Sequence, residues 1–290
     1  MQIILEPLKE VGRNGVEMAC GDGYVQHIHP ILASYIADYL EQCLVTCTKY
    51  GTCPKCHSGA SDLGSKTPGA PSTQKWTLGV INQAKVASST LSEFHSKCMA
   101  EDVSGCIQHP FWEGFPFCDI HHSITPDVLH QLFQGIFKHM VTWCEDLMDP
   151  SELDARICSL PPAYGVRHFK NGISVMSQIS GKEQKDIAQI LLACLVGKVP
   201  QGVILTYCVL LDFIYISQYP THNDATLGYL QDSLDLYHKH KSVLVNLDIH
   251  DHLNIPKFHS LLHYVDAIKQ FGATDNYNTE AFERLHISIA

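Results

Sequence analysis

Four groups of residues in this chain have the types and spacing that metal binding or catalysis by carboxylates requires. The first lies in the closing segment, where Glu280 and Glu283 stand one helical turn apart and are followed by Arg284 and His286. Carboxylates gain a catalytic meaning when other carboxylates converge on them to hold Mg²⁺ or Mn²⁺. An exposed helix with Glu and Arg is otherwise a solvated face. The pair alone therefore does not decide between the two interpretations.

The second group is a run of cysteines that ends in a knuckle, Cys53-Pro-Lys-Cys56-His57. Two thiolates with two residues between them can bind one tetrahedral Zn²⁺ ion, and neighbouring residues can complete the shell. Cys43, Cys47 and His57 are the nearest candidates. Three later cysteines stay open as ligands: Cys98, Cys106 and Cys118. The pattern predicts a structural zinc site, and the alternative is a set of buried free thiols.

The other two groups are pairs on predicted helices. Asp127 and His130 stand three residues apart and share a helix face, but an aspartate near a helix N-terminus is also stabilised by the helix dipole alone. His259 and His263, four residues apart, have a spacing that can chelate a metal. Histidines on the apolar side of a helix are, however, more often packed and hydrogen-bonded. Neither pair by itself indicates a site.

The composition is that of a globular chain. Its 290 residues are 45% hydrophobic, which suffices for one large domain or two ordinary ones. With 20 basic against 30 acidic residues, the formal charge is −10, so any contact with nucleic acid must be local or lie outside this sequence. The 12 cysteines come without the basic and apolar regions of a signal peptide, which favours free or metal-bound thiols in a reducing compartment.

Helices are expected to position most of these residues. The first eleven residues are strand-like at best, and Gly21-Asp22-Gly23 predicts a turn. Apolar periodicity predicts one helix from Pro30 to about Gln42 and another from Ile81 to Met99. Residues 58–71 are rich in Gly, Ser, Thr and Pro and predict an exposed loop.

The second half is almost entirely helical by pattern. A helix with one broad apolar face is predicted to begin with Thr125 as its cap and Pro126 as its first residue, and Ser180 with Glu183 predicts a capping box. Further helices are predicted at 202–218, 224–245 and 255–270, the last ended by Gly272. The longest apolar run, 203–216, is shorter than the roughly 20 residues of a membrane-spanning helix. We therefore expect a buried helix there and no membrane contact.

Six segments, taken in order, carry a resemblance to a known family. They are Ile36–Gln42, the Cys53–His57 knuckle, Thr125–Leu132, Leu211–Tyr215 with Gln218-Tyr219-Pro220, Asn254–Tyr264, and Tyr277–His286. The series resembles the core of the Plavaka transposases of mushroom-forming fungi, which are cut-and-paste DNA transposases similar to the CACTA and Kyakuja-Dileera-Zisupton groups. The resemblance runs from about Gly21 to the last residue. The combination is specific even though each motif alone is not.

The resemblance implies an RNase H-like catalytic core in which three acids hold two divalent ions, Mg²⁺ or Mn²⁺. One ion activates a water or a 3′-hydroxyl, and the other stabilises the leaving oxygen. By motif, Asp38 matches the second acid and Glu283 the last one, with Glu280 as the near alternative. Asp127 and His130 match an Asp-x-x-His signature beside the active site. The resemblance also implies transposon-end DNA as a partner and a nuclear location, and it leaves a homo-oligomer open.

The chain also departs from the family pattern. Leu40 stands where the family usually has proline, and the sequence ends inside its last helix. The first acid normally lies on the opening strand of the fold. The acidic residues of the N-terminal segment do not have that context: Glu6, Glu10, Glu17 and Asp22. We therefore expect a partial core whose strand transfer is lost, because two ions would have too few fixed anionic ligands.

The expected architecture is mainly α with a small α/β part. It is a fragment of an RNase H-like transposase core with a zinc knuckle and a large helical insertion. The expected parts are 1–57 with the knuckle at 43–57, a loop and helix region at 58–124, the helical insertion at 125–275, and the start of the final helix at 276–290. Two functions remain: a partial DNA transposase core, inactive as it stands, or a non-catalytic, zinc-stabilised helical interaction module derived from a transposon.

Overall fold

Helices make up most of the secondary structure in residues 2–280, the part of the chain that the computed structural model describes. The chain divides into two units. The first unit contains the residues up to 60 together with 68–125, and the second contains 61–67 together with the residues from 126 onward. The mainly helical class predicted from the sequence is confirmed. The described part contains one two-stranded sheet, and the RNase H-like core stays a prediction.

Short elements build the first unit. They are the helix α1 (Gln2–Asn14), the strands β1 (Val16–Ala19) and β2 (Val25–Ile28), and the helices α2 (Tyr39–Thr46), α3 (Gln74–Ala87), α4 (Leu91–Ala100) and α5 (Ile120–Ser123). The two strands form an antiparallel hairpin in which Val16 pairs with Ile28. The predicted turn at Gly21-Asp22-Gly23 joins them, and Cys20 N–H donates to the Tyr24 carbonyl across it.

The helix α1 replaces the strand that the first eleven residues suggested. One face of the helix explains the difference: Leu5 packs on the apolar cluster of the unit, Lys9 is buried with its ammonium 5.6 Å from the centre of the Phe115 ring, and Gly12 lies on the same side. A Cβ at Gly12 would come within 2.9 Å of the Pro30 carbonyl oxygen. Spacings of four and three residues along this face fit a helix and not a strand.

The helix predicted from Pro30 to Gln42 begins only at Tyr39. Asp38 is its N-cap, because one carboxylate oxygen accepts the Glu41 N–H at 2.8 Å. Upstream of the cap the backbone is extended, and Tyr35 N–H donates to the carbonyl of Ser123. This pairing with a segment far along the chain competes with helix formation over the first half of the predicted range.

The helix predicted from Ile81 to Met99 is two helices. α3 ends at Ala87, and the Thr90 hydroxyl oxygen then accepts the Glu93 N–H at 3.2 Å to begin α4. The Glu93 carboxylate accepts the Ser89 N–H at 2.8 Å. A threonine followed three residues later by glutamate is a helix-start signal. That signal overrides the continuous apolar pattern.

Trp112 is the largest fully buried side chain of the first unit, and its indole N–H donates to the Val45 carbonyl at 2.6 Å. Around it lies a small apolar cluster: Val45, Cys47, Ile81, Ala84, Phe94, Cys98, Val103, Phe115 and Ile120. Because few apolar residues are buried here, hydrogen bonds such as that of Trp112 contribute much of what fixes the conformation of this unit.

The second unit contains the three longest helices of the described range, together with several short ones. They are a π-helix (Val128–Phe137), α6 (Lys138–Leu147), α7 (Pro150–Ser159), α8 (Gly181–Leu195), α9 (Gln201–Ile216), α10 (Asp224–His240), α11 (Ser242–Asn246), α12 (Pro256–His259), a 3₁₀ helix (Ser260–His263), α13 (Tyr264–Phe271) and a 3₁₀ helix (Thr274–Tyr277). The predicted capping box of Ser180 and Glu183 is present in both directions. Gly272, with a φ of 85°, ends α13 as predicted. No helix in the described range is long and apolar enough to span a bilayer.

The helix predicted to begin at Thr125 starts instead as the π-helix, with Asp127 as its N-cap. At its end, Lys138 N–H reaches the carbonyl of Phe133, five residues back. Thr125 does not serve as the cap: its buried hydroxyl oxygen has no hydrogen-bond partner among the described residues, and its carbonyl accepts from the Gln42 side chain at 3.0 Å. The helix therefore begins after Pro126.

Candidate metal centre and acidic residues

The Cys53–His57 knuckle is a tight loop of the first unit with both thiols buried. Lys55 N–H points at the Cys53 sulfur at 3.4 Å, and the Cys56 sulfur lies 3.3 Å from the Ser58 hydroxyl. Burial, and then the neighbouring Cys56, raise the pKa of the Cys53 thiol well above its ordinary value. A metal ion that binds here must therefore displace protons, which ties its affinity to pH.

Backbone pairing holds the knuckle in this shape. His57 N–H donates to the Ala70 carbonyl at 2.8 Å, and Ser72 N–H donates to the Lys55 carbonyl at 3.0 Å. Gly69 lies so close that a Cβ would stand 2.7 Å from the His57 carbonyl oxygen. Only glycine permits this approach. The end of the predicted loop at 58–71, together with Ser72, therefore supports the knuckle.

His259 and His263 follow the helix start at Pro256, and their ring centres are 5.5 Å apart. His259 is buried, and its Nδ1 donates to the carbonyl of Leu63 at 3.1 Å. Metal-binding histidines commonly donate one ring N–H to a carbonyl in this way, which fixes the tautomer and presents the other nitrogen to the ion. His259 therefore has the hydrogen-bond arrangement that is common among metal-binding histidines.

One ligand atom from each of Cys53, Cys56, His259 and His263 lies within 4.8 Å of the others. Two thiolates and two imidazoles are typical of tetrahedral Zn²⁺, whereas Mg²⁺ and Ca²⁺ prefer oxygen ligands. Because protein atoms can fill all four positions, such a site is structural and not catalytic. We call these four residues the Cys₂His₂ group.

The Cys₂His₂ group shares Cys53 and Cys56 with the ligand set predicted from the sequence. Cys43 lies beside Tyr39, and burial raises the pKa of its thiol to about 11. Burial, and then other thiols, raise the pKa of Cys47 to about 12. The His57 ring packs edge-on against an indole ring with 4.2 Å between the ring centres. Cys43, Cys47 and His57 stay predictions as ligands.

The histidine half of the group was visible in the sequence only as a weak chelating pair. The available signal was the combination of a Cys-x₂-Cys and a His-x₃-His pattern in one chain. Because about two hundred residues separate the two patterns, spacing could not show that they belong together.

Asp38, the candidate second acid, is the half-buried cap of α2 already described. Glu280 is held on two sides: Lys185 Nζ lies 2.6 Å from its carboxylate, and its own N–H donates to the Asn278 side chain at 3.0 Å. Glu283, the candidate last acid, lies outside the described residues. The catalytic roles of these three acids stay predictions.

Asp127 has a fully buried carboxylate that joins two distant segments. One oxygen accepts from the His130 backbone N–H at 2.8 Å and from its ring Nδ1 at 2.5 Å. The other accepts from Thr279, from its N–H at 3.2 Å and its hydroxyl at 2.8 Å. Burial alone would raise the pKa of Asp127, but the hydrogen bonds of His130 and Thr279 bring it below its ordinary value. The carboxylate therefore remains ionised inside the protein.

The fold and these sites define a mainly helical protein with a Cys₂His₂ group and a buried Asp-x-x-His network. The family model described as Plavaka transposase matches residues 1–144. The chain is thus a Plavaka-type transposase sequence over its first half, which confirms the family predicted from the motifs. The relation to the CACTA and Kyakuja-Dileera-Zisupton groups stays a prediction. No curated protein and no solved structure matches the chain.

Proposed function

We propose that this chain acts in DNA transposition, as part of a Plavaka-type enzyme that cuts and joins DNA strands with two Mg²⁺ or Mn²⁺ ions. The match of residues 1–144 to the transposase family supports the proposal. Asp38 and Glu283 are the proposed acids. Glu280 is the weaker alternative, because the ammonium of Lys185 already neutralises its carboxylate.

The Cys₂His₂ group is proposed to bind one structural Zn²⁺ ion. Its mixture of sulfur and nitrogen donors within 4.8 Å supports this metal. The ion would hold the knuckle loop in one conformation, since each thiolate would gain a fixed partner in place of a proton.

The proposed partner is transposon-end DNA, bound in the nucleus. With a formal charge of −10, the chain has no general attraction for phosphate, so contact must depend on local groups. The affinity of such binding falls only modestly as salt rises, because the salt dependence is proportional to the number of phosphates contacted.

A binding and cleavage assay tests this function. The probes are a duplex that carries the terminal sequence flanking the gene and an unrelated duplex of equal length, each with Mg²⁺ or Mn²⁺. We expect tighter binding of the terminal duplex and no strand cleavage by this chain alone, because the first acid has no counterpart in the N-terminal segment. Equal binding of both duplexes would contradict the transposase role.

The second candidate is a non-catalytic, zinc-stabilised interaction module. The structural use of two candidate acids favours it, since Asp38 caps α2 and Glu280 pairs with Lys185. Mn²⁺ binding separates the two candidates. A transposase core binds Mn²⁺ through Asp38 and loses affinity in Asp38→Asn, whereas the interaction module binds zinc alone.

A further inference from the structure

The start of the closing segment is held by a buried carboxylate from another part of the chain. Thr279 donates both its N–H and its hydroxyl to Asp127, which precedes it by about 150 residues. N–H groups at the beginning of a helix have no partner within the helix and need an acceptor from outside. Asp127 supplies that acceptor, in the way that an N-cap residue normally does from within its own segment.

His130 keeps this acceptor in place. Its backbone N–H and its ring both bond one oxygen of Asp127, so the other oxygen is directed towards Thr279. The ring nitrogen also lies 3.2 Å from the Thr279 hydroxyl. Since the carboxylate is fully buried, its orientation depends on these hydrogen bonds and not on solvent.

A second contact fixes the next residue. Lys185 of α8 pairs with Glu280 at 2.6 Å, and its ammonium lies 5.4 Å from the centre of the Phe133 ring in the π-helix. The lysine is only 30% exposed, so its position is defined by packing as well as by charge. Glu280 is therefore engaged in a structural ion pair.

We infer that Asp127 and His130 are positioning residues that cap the closing segment, and that Glu280 is an anchor of that segment and not a metal ligand. The inference deepens the proposed function, on which it rests for its catalytic meaning, because the proposed last acid, Glu283, follows three residues after Glu280. Holding Thr279 and Glu280 sets where the segment that carries this acid begins.

Hydrogen exchange with the full chain tests the capping contact. Thr279→Val removes the hydroxyl donor and keeps the shape. We expect about fivefold faster exchange of the backbone N–H groups of Thr279 and Glu280, since a buried hydrogen bond contributes about 1 kcal/mol. Thr279→Ser restores the donor and should restore slow exchange. The matched control is Thr274→Val, which removes a buried hydroxyl bonded at 2.9 Å to the Ser217 carbonyl but does not touch Asp127.

The outcomes separate a positioning role from general loosening. Unchanged exchange in Thr279→Val, or an equal rise in Thr274→Val, overturns the inference. Asp127→Asn should act in the same direction, because the amide cannot accept on both sides, but Thr279→Val remains decisive if that variant fails to fold.

The roles of the two glutamates are tested separately by Mn²⁺ binding, measured by electron paramagnetic resonance. Glu283→Gln should lose Mn²⁺ affinity at least tenfold, whereas Glu280→Gln should retain it. Loss in Glu280→Gln alone overturns the anchor assignment. If the unmodified chain binds no Mn²⁺, the proposed catalytic function fails, while the exchange result still decides whether Asp127 caps the segment.

Discussion

The two units of this protein reach a defined structure by different means. The described helices of the first unit have at most 14 residues, and the unit also has a hairpin whose strand residues are nearly all exposed and a small apolar cluster around Trp112. The second contains the longer helices α8, α9 and α10, which contribute to one broad apolar core. The first unit also contains most of the buried thiols, including those of the knuckle.

This difference shows how a unit with little apolar burial can still be specific. Where burial is small, each directed bond accounts for a larger share of the free energy of unfolding. We therefore expect the first unit to depend on the thiols of its knuckle and on single hydrogen bonds, and the second to depend on side-chain volume.

Removal of zinc should have the largest effect. In the double variant Cys53→Ser and Cys56→Ser, we expect loss of one Zn²⁺ per chain and a fall of at least about 3 kcal/mol in the free energy of unfolding around the knuckle, because metal binding contributes directly to folding. Metal analysis and hydrogen exchange of residues 43–60 measure the two effects. Cys20→Ser, a half-buried cysteine outside the Cys₂His₂ group, is the control. Less than stoichiometric zinc with equal stability would contradict the site.

Truncation of the large core should rank next. Leu210 of α9 is 1% exposed, and Leu210→Ala should lower the free energy of unfolding by about 3 kcal/mol through lost burial and a residual cavity. Leu205 lies on the same helix but is 39% exposed, so Leu205→Ala is the matched control and should cost less than about 1 kcal/mol. Urea unfolding measures both. An equal loss in the free energy of unfolding for both variants would contradict the distinction between a unit that depends on side-chain volume and one that depends on single hydrogen bonds.

A single hydrogen bond should matter in the first unit. Trp112→Phe removes the donor to the Val45 carbonyl and leaves a small cavity, and we expect a loss of about 2 kcal/mol. Thermal unfolding measures the loss of stability, and hydrogen exchange of residues 40–50 shows whether the loss is local to the Val45 bond. As a comparison, Trp76→Phe changes a partly exposed indole of the same unit. If both variants lose the same stability, the Val45 bond is not specifically important.

The smallest effect should be a pH dependence in the second unit. Burial, and then Lys257, His250 and Lys138, lower the pKa of His139 to about 4. Between about pH 6.5 and 4 the unfolded chain binds the extra proton, so stability falls as pH falls through this window and the contribution ends below it. Because the ring is partly exposed, we expect less than about 1 kcal/mol. The measurement is the urea midpoint of unfolding between pH 7 and 4.5. His139→Gln should reduce its dependence on pH, whereas substitution of the exposed His95 by Gln should leave that dependence unchanged.

The sequence predicted those parts of the fold that depend on near neighbours. The capping box at Ser180 and Glu183, the end of α13 at Gly272 and the turn at Gly21-Asp22-Gly23 are confirmed, because each is decided within a few residues. The same holds for the paired cysteines of the knuckle, whose spacing alone brings the thiols together.

Long-range pairing explains what the sequence could not show. The extended backbone at Tyr35 depends on Ser123, and the orientation of Asp127 depends on Thr279. Neither partner can be identified from local periodicity, because the contacts form only after the chain has folded back over many residues. The histidine half of the Cys₂His₂ group is likewise distant in sequence from the knuckle.

The π-helix has a consequence for the length of the chain. Its bonds reach back five residues, so the segment from Val128 to Phe137 contains more residues per turn than an α-helix would. Deletion of one residue there would allow ordinary α-helical bonding, but it would also change the angle at which the following residues leave the segment relative to Asp127. The segment would have more regular hydrogen bonding, but the chain would leave it in a different direction. The number of residues in this stretch, as much as their identity, therefore specifies the structure, and single-residue insertions or deletions should be tolerated less well here than substitutions.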